Sequence, residues 1–289
     1  MSGVSEQLGR KIGSARDLQS IVRSMKALAA SNIGQYERAV AALRDYYRTV
    51  ELAVRACNGS ASRASPAKGS SRAGSVGALL IGSDQGLVGR FNEALAEFAT
   101  RSLGALAGRT TRIWVVGERM QGLMAAPART FAAPNSVEGI GSLVGEILID
   151  MAAAEDAGEV REVYLFHNAP GASATYAPVL RRLLPLDALW QSEVAAIPWP
   201  TGNIPQVIAR DESALSAFIR EYLFILLFQA CAESLASENA SRLAAMQRAE
   251  KNIEEMLDEM NRRFHRIRQE SIDEELFEVI SGYDALARD

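Results

Sequence analysis

The chain has 289 residues, 48% of them hydrophobic and 23% charged, with a formal net charge of −4. That balance belongs to a packed protein, not a disordered one, and argues against a general nucleic-acid binder, which needs an excess of positive surface charge. Cys57 and Cys231 are the only cysteines. Far apart, they make neither a disulfide framework nor a metal site and read as reduced, cytosol-facing thiols. The opening MSGVSEQLGRKIGSARD has no apolar h-region of the kind a secretory signal carries. The longest apolar run, YLFILLF at residues 222–228, falls far short of the ~20 residues that span a bilayer and reads as a buried stretch of helix.

From the N-terminus, apolar residues recur at Val4, Leu8, Ile12, Ala15, Leu18, Val22, Met25, Ala29, Ile33, Tyr36, Val40, Leu43, Tyr47, Val50 and Val54. The steps are all threes and fours, close to the ~3.5-residue repeat of a coiled-coil seam. Residues 58–75, NGSASRASPAKGSSRAGS, lose this period and read as a flexible connector. The pattern then changes to strands alternating with helices. VGALLI at 76–81 is a strand ending in GSDQG, 91–106 a helix, and TRIWVV at 111–116 a strand. Residues 136–154 form a helix and 160–166 a strand. That alternation predicts a βαβ-type domain with a largely parallel sheet. Residues 170–205 carry six prolines and suggest only a strand at 188–197. A last helix starts near Asp211, where DESAL supplies an acidic cap and first turn, and continues to the C-terminus. About 70 helical residues at ~1.5 Å each make a rod of roughly 100 Å. Its stripe includes Leu243, Met246, Ile253, Leu257, Met260, Phe264, Ile267, Leu276, Ile280 and Tyr283.

Neither terminal stripe can be covered locally, so the simplest solution pairs them. The expected fold is α/β: a central Rossmann-like α/β domain with a mostly parallel sheet, plus a long antiparallel two-helix coiled coil formed by the N- and C-terminal helices. The expected divisions are 1–57 (first helix), 58–75 (linker), 76–208 (α/β domain) and 209–289 (last helix).

The chemistry is sparse. Gly82, Gly86 and Gly89 in GSDQGLVG lack both a Walker ending and the GxGxxG fingerprint. They read as a tight turn in which glycines supply positive φ while Asp84 and Asn92 bond to backbone. His167 ends an apolar strand and reads as structural. His265 sits among Arg262, Arg263, Arg266 and Arg268 and reads as facing solvent or a partner. Neither has ligands at metal spacing, and no nucleophile motif is present. No cofactor or metal is expected. Basic residues Arg10, Lys11, Arg16, Arg23 and Lys26 stud the first helix, and acidic stretches lie at 254–259 and 273–278 of the last. These are either solvated helix surface with i,i+4 pairs or a charged collar that meets acidic loops of partner subunits.

Three stretches resemble a known family. Ile12-Gly13-Ser14, Ile21-Val22-Arg23-Ser24-Met25 and Ala29-Ala30-Ser31 are similar to a "KI…ITKAM…VAAS" helix. Ser83-Asp84-Gln85-Gly86-Leu87-Val88-Gly89 with Asn92 is similar to "SDRGLCG..N". Ser237-Glu238-Asn239-Ala240-Ser241-Arg242 with Ala245-Met246 is similar to "SE.AARM.AM". Asn261, Arg268-Gln269, Glu275-Leu276, Glu278-Val279-Ile280 and Ser281-Gly282 follow "N..RQ..IT.ELiEI..GA". The family is the gamma subunit of F-type ATP synthases, the central rotor shaft. Departures include Asp273 for a usual Thr, Val207-Ile208 where many members have Tyr-Glu, Asn32-Ile33-Gly34-Gln35 for a basic continuation, and Gly282-Tyr283-Asp284-Ala285 for Gly-Ala-Ala. With the unusual HNAPGASATYAPVL, LLPLDALW and IPWPTGNIP stretches, they point to the alternate, ion-pumping N-type ATPase lineage.

The resemblance implies a shaft without a catalytic site of its own, seated in the cavity of the alpha and beta subunits. Its α/β domain would lie against epsilon and the membrane c-ring, peripheral to the cytoplasmic face of a bacterial inner membrane. Rotation would couple ion flow to ATP synthesis or hydrolysis. It further implies that Arg23, Met25, Lys26, Arg268 and Gln269 meet the beta subunits, and that Leu276, Val279, Ile280, Tyr283 and Leu286 form a bearing tip. Two other readings stand beside it. One is a stand-alone α/β nucleotide-binding protein with a helical oligomerisation arm and its site at GSDQG. The other is a coiled-coil scaffold.

Overall fold

The computed structural model describes residues 2–60, 75–105, 111–171, 175–186, 188–203, 207 and 212–286. In chain order the elements are α1 (Ser2–Ser60), β1 (Val76–Ile81), α2 (Phe91–Gly104), β2 (Thr111–Val116), α3 (Glu118–Gln121) and β3 (Arg129–Phe131). There follow α4 (Val137–Asp156), β4 (Glu162–Ala169), β5 (Ala177–Leu184), α5 (Ala188–Ala196) and α6 (Glu212–Leu286). Of the connector expected at 58–75, residues 58–60 close α1 and 61–74 lie outside the described residues, as do Ile208 and the expected cap Asp211. The chain divides into two compact units, residues 30–241 and residues 1–29 with 242–289.

The unit of residues 30–241 is built on a five-stranded sheet in the order β3-β2-β1-β4-β5. The first four strands run parallel and only β5 is antiparallel. β1 lies at the centre, and all six of its residues are buried, as an apolar strand covered on both faces must be. Alternation sends Leu79, Ile81, Trp114, Val116, Val163 and Leu165 to one face and Ala78, Leu80, Val115 and Phe166 to the other. The first face meets Ile140, Val144, Ile147 and Met151 of α4, whose spacing places them on one stripe. It also meets the long helices through Tyr36, Val50, Val54, Ile225 and Leu227. The second face meets Leu95 and Ala99 of α2 and Met120 of α3.

Among the described residues α6 is the one helix long and apolar enough to cross a membrane by composition, with a window of mean hydropathy 1.5. In this fold its run at 222–228 packs on the sheet through Tyr222, Ile225, Leu226 and Leu227.

Residues 188–197, expected as a strand, are mostly the helix α5. ALWQSEVAA is rich in helix formers, and Trp190 and Val194, four apart, turn to the core, where Trp190 meets the Tyr222 ring edge-on at 5.5 Å. The strand of this region is instead β5, which the prolines hid. Pro178 is tolerated because β5 is an edge strand, pairing only with β4.

In the other unit, α1 and α6 run antiparallel. Gln19 reaches Glu254, Arg23 reaches Glu250, and Gly9 lies beside Phe264, so residue numbers fall on one helix as they rise on the other. Leu8, Ile12, Ala15 and Leu257 are the buried seam, flanked by Ile253, Met260, Phe264 and Ile267. Leu18, expected on this seam, is 55% exposed. The apolar ladder there takes a three-residue step where the helix geometry needs four, so Gln19 turns inward in its place.

Candidate functional site

The turn after β1 is the only place where the sequence hints at ligand chemistry, and the structure fills it with protein. Asn92 closes the loop on itself: its Oδ1 accepts from Ser83 N at 3.0 Å and its Nδ2 donates to Ser83 Oγ at 2.9 Å. The Asp84 carboxylate accepts from the backbone of Glu118 and Ala133, both at 2.9 Å, tying the turn to α3 and to the segment after β3. The glycines do not act alike. Gly89 has φ +60, but Leu87, not a glycine, takes the other positive φ at 63, while Gly82 and Gly86 have none. Gly82 is required for space, since a Cβ there would lie 2.5 Å from Met120 Cβ and 2.8 Å from Asn92 Oδ1. Gly117 opposite it is more constrained, with φ +99 and a Cβ that would fall 2.6 Å from the Ser83 backbone.

In open parallel sheets a ligand enters at the carboxyl ends of the strands. Here that edge is occupied by α6. Ser234 Oγ donates to Ile81 O at 3.1 Å and Ser241 Oγ donates to Val88 O at 2.6 Å. His167, at the same end of β4 and wholly buried, lies with Nε2 2.9 Å from Glu233 Oε2. Burial alone would raise the Glu233 carboxyl, but hydrogen bonds from His167 and Gln229, with the nearby charges of His167 and Arg181, hold it below the usual range. Asn168 points to the opposite face and donates to Phe91 O at 3.0 Å. The motif residues Ser237, Glu238, Asn239, Ser241 and Arg242 are buried, and Asn239 and Ser241 donate to the backbone carbonyls of Leu235 and Val88.

The helix pair carries the remaining expected site residues. Arg23 bonds to Glu250 at 2.8 Å and to Glu254 at 3.3 Å, and Lys26 bonds to Glu250 at 2.5 Å. The Lys26 and Arg23 hydrogen bonds keep the Glu250 carboxyl below its ordinary value, and those with Glu250 and Glu254 raise Arg23. The two cations therefore brace α1 against α6, and Met25 between them is half-buried. Sequence reasoning missed Glu250 as their partner, because it belongs to no acidic run. The signal was the antiparallel register, in which position 250 faces 23.

Arg268 and Gln269 are exposed, 242 or more residues along the chain from Arg23 and Lys26 and well down the pair from them. Arg268 borders an open groove of about 820 Å³, lined also by Glu6, Arg10, Phe264, Ile267 and Glu275. Of the tip residues, Leu276, Val279, Ile280 and Tyr283 are exposed, Val279 by 70% and Tyr283 by 72%. The side chain of Leu286 lies outside the described residues. Phe277, not singled out from the sequence, is 68% exposed beside them. With Ile272, these residues cover an arc of roughly 160° at ~100° per residue, wider than any two-helix seam. By the register of the pair, α1 begins opposite about position 271, so Leu276, Phe277, Val279, Ile280 and Tyr283 lie beyond its start and stay exposed.

The family model described as ATP synthase matches residues 5–286. The chain is 29% identical over 306 residues to the ATP synthase gamma chain of Frankia casuarinae, covering 99% of each, and 27% identical to that of Methylococcus capsulatus, covering 98% of this chain and 99% of the relative. Its fold is similar to a chain in the Euglena gracilis mitochondrial ATP synthase OSCP/F1/c-ring structure, with a TM-score of 0.67 at 17% identity, covering 99% of this chain and 95% of that one. A chain of the Euglena gracilis rotor structure gives a TM-score of 0.62 at 15% identity. With a family match over residues 5–286 and an antiparallel terminal helix pair, the chain belongs to the ATP synthase gamma-chain family.

Proposed function

We propose that this chain is the central rotor stalk of an F-type ATP synthase. In this reading its helix pair occupies the cavity of the alpha and beta subunits, and its sheet unit contacts epsilon and the c-ring of the membrane sector. The observation that carries the reading is the exposed apolar end of α6, from Ile272 to Tyr283. An exposed apolar patch on a folded chain marks a surface that another chain covers. A sleeve around the tip would leave the shaft free to turn, since apolar contact has no preferred direction.

The chain performs no chemistry itself. As an asymmetric rod among repeated catalytic subunits, it touches each one differently, and that difference in contact energy biases each site among its conformations. Arg268 and Gln269, exposed on α6, are the coupling contacts to beta, joined by the outer faces of Arg23, Met25 and Lys26. Leu276, Val279, Ile280, Tyr283 and Leu286 are the bearing. The functional divisions are the helices 1–57 and 209–289, the linker 58–75 and the α/β domain 76–208. The complex sits at the cytoplasmic face of a bacterial inner membrane. Asp273 and the Gly282-Tyr283-Asp284-Ala285 ending support the N-type lineage.

The test is co-purification followed by substitution. A tagged chain expressed in its own cell should bring alpha, beta and epsilon with it, identified by mass. Replacing Arg268 and Gln269 together by Ala should lower ion pumping by the reconstituted complex while the free chain stays folded. Unchanged hydrolysis and pumping would remove these two residues from the coupling surface. Tight binding of ATP or a dinucleotide by the isolated chain, without the other subunits, would instead favour a nucleotide-binding protein.

A further inference from the structure

A helix that merely packs against a sheet needs apolar side chains on its buried face, and α6 has them at Ile225, Leu227, Ala230 and Cys231. From Gln229 to Ser241 the same face also carries polar groups that reach three separate parts of the sheet edge. Glu233 accepts from His167 Nε2 of β4 at 2.9 Å, the carboxylate being able only to accept. Its other oxygen accepts from Gln229 Nε2 at 2.6 Å, which fixes the carboxylate in place. Ser234 donates to the last carbonyl of β1 and Ser241 to Val88 in the turn beyond it. Ser234 and Ser241 are themselves buried.

The geometry matters because of what each kind of contact resists. Apolar packing is non-directional and tolerates small rotations, whereas a hydrogen bond weakens steeply once its angle or length departs from the optimum. Positions 233 and 234 lie side by side on the helix, and 241 is two turns further, about 10 Å along the axis. Ties at two heights, to β1, β4 and the turn between β1 and α2, oppose both sliding and twisting of α6.

We propose that Glu233, Ser234 and Ser241 are positioning residues that lock α6 in rotation against the sheet, so that turning the helix turns the sheet with it. This rests on the rotor reading. A shaft helix with fewer directional ties would resist load less, and any slip would appear as hydrolysis without transport. Each lost hydrogen bond should shift the balance between seated and slipped helix by roughly fivefold.

The experiment uses the complete complex assembled around the full chain and reconstituted in vesicles, with ions moved per ATP hydrolysed as the readout. A defect of folding alone lowers the number of complexes without changing that ratio. Ser234→Ala with Ser241→Ala should lower the ratio, adding Glu233→Leu should lower it further, and Glu233→Gln, which keeps an acceptor for His167, should lie close to wild type. A triple variant that pumps as many ions per ATP as wild type overturns the proposal. If Glu233→Leu prevents assembly, the two serine substitutions decide it by the same criterion. If the wild-type chain never forms a coupled complex, the rotor reading fails instead. The lock is then read in the isolated chain: amides of residues 229–241 should exchange roughly fivefold faster in Ser241→Ala. Unchanged exchange overturns it.

Discussion

The sheet unit of residues 30–241 and the helix pair of residues 1–29 with 242–289 bury apolar surface in different degrees. In the sheet unit Trp114, Phe91, Phe166 and Leu165 are wholly enclosed, because a sheet covered on both faces gives every inward side chain a full set of neighbours. In the helix pair Leu8, Ile12, Ala15 and Leu257 form a single buried line, while Leu28, Phe277 and Val279 stay mostly in water. Two helices side by side can hide only one stripe of each. The lesson is that the sheet unit carries the stability of the fold, whereas the helix pair holds apolar surface in reserve for other chains.

That contrast can be broken by substitution. The largest effect should come from Trp114→Ala, which empties a fully buried site and strips Asp150 of the indole donor at 2.5 Å. A cost of about 3–5 kcal/mol is expected in chemical denaturation. Leu257→Ala should cost about 2 kcal/mol, since its seam is shallow, and the loss should show as faster amide exchange confined to the helix pair. Equal loss of protection in the sheet would mean the two units do not open separately, and the contrast would fall.

The next effect is pH-dependent. Glu233 has a folded-state carboxyl held below its ordinary value of 4.5. Its contribution is therefore fully present above about that pH and is lost as pH falls through the lower folded value. Glu233→Gln should flatten the acid limb of a stability–pH curve for the sheet unit, and an unaltered limb would contradict the assignment. The smallest effect should come from Glu250→Gln. The Arg23 and Lys26 pairs are solvent-facing on the cation side, so the denaturation midpoint should barely move, and any change should vanish at high salt.

Much of this was legible from residue order. The period of three and four located α1 and α6, and short apolar runs located β1, β2 and β4. The failures have physical causes. β5 was hidden because Pro178 and paired arginines look unlike a strand, though an edge position forgives both. At 188–197 the apolar residues suggest a strand, but the four-residue spacing of Trp190 and Val194 belongs to a helix. Within the candidate site, Arg23 and Lys26 stood out as charges, yet their partner Glu250 lies 227 positions from Arg23. Only the antiparallel pairing brings the two together.

Local periodicity determined α1, α6 and the strands β1, β2 and β4, because backbone geometry repeats over a few residues and side-chain order must match it. The absence of a nucleotide fingerprint in GSDQGLVG was equally a matter of local order. What the carboxyl edge of the sheet holds was decided by tertiary structure alone. Ser234, Ser241 and Glu233 are ordinary polar residues in a helical sequence, and their meaning comes from the strand ends and turn they meet, across 153 residues in the case of both serines. Hydrogen bonds act over about 3 Å, a distance that residue order cannot specify until the chain has folded.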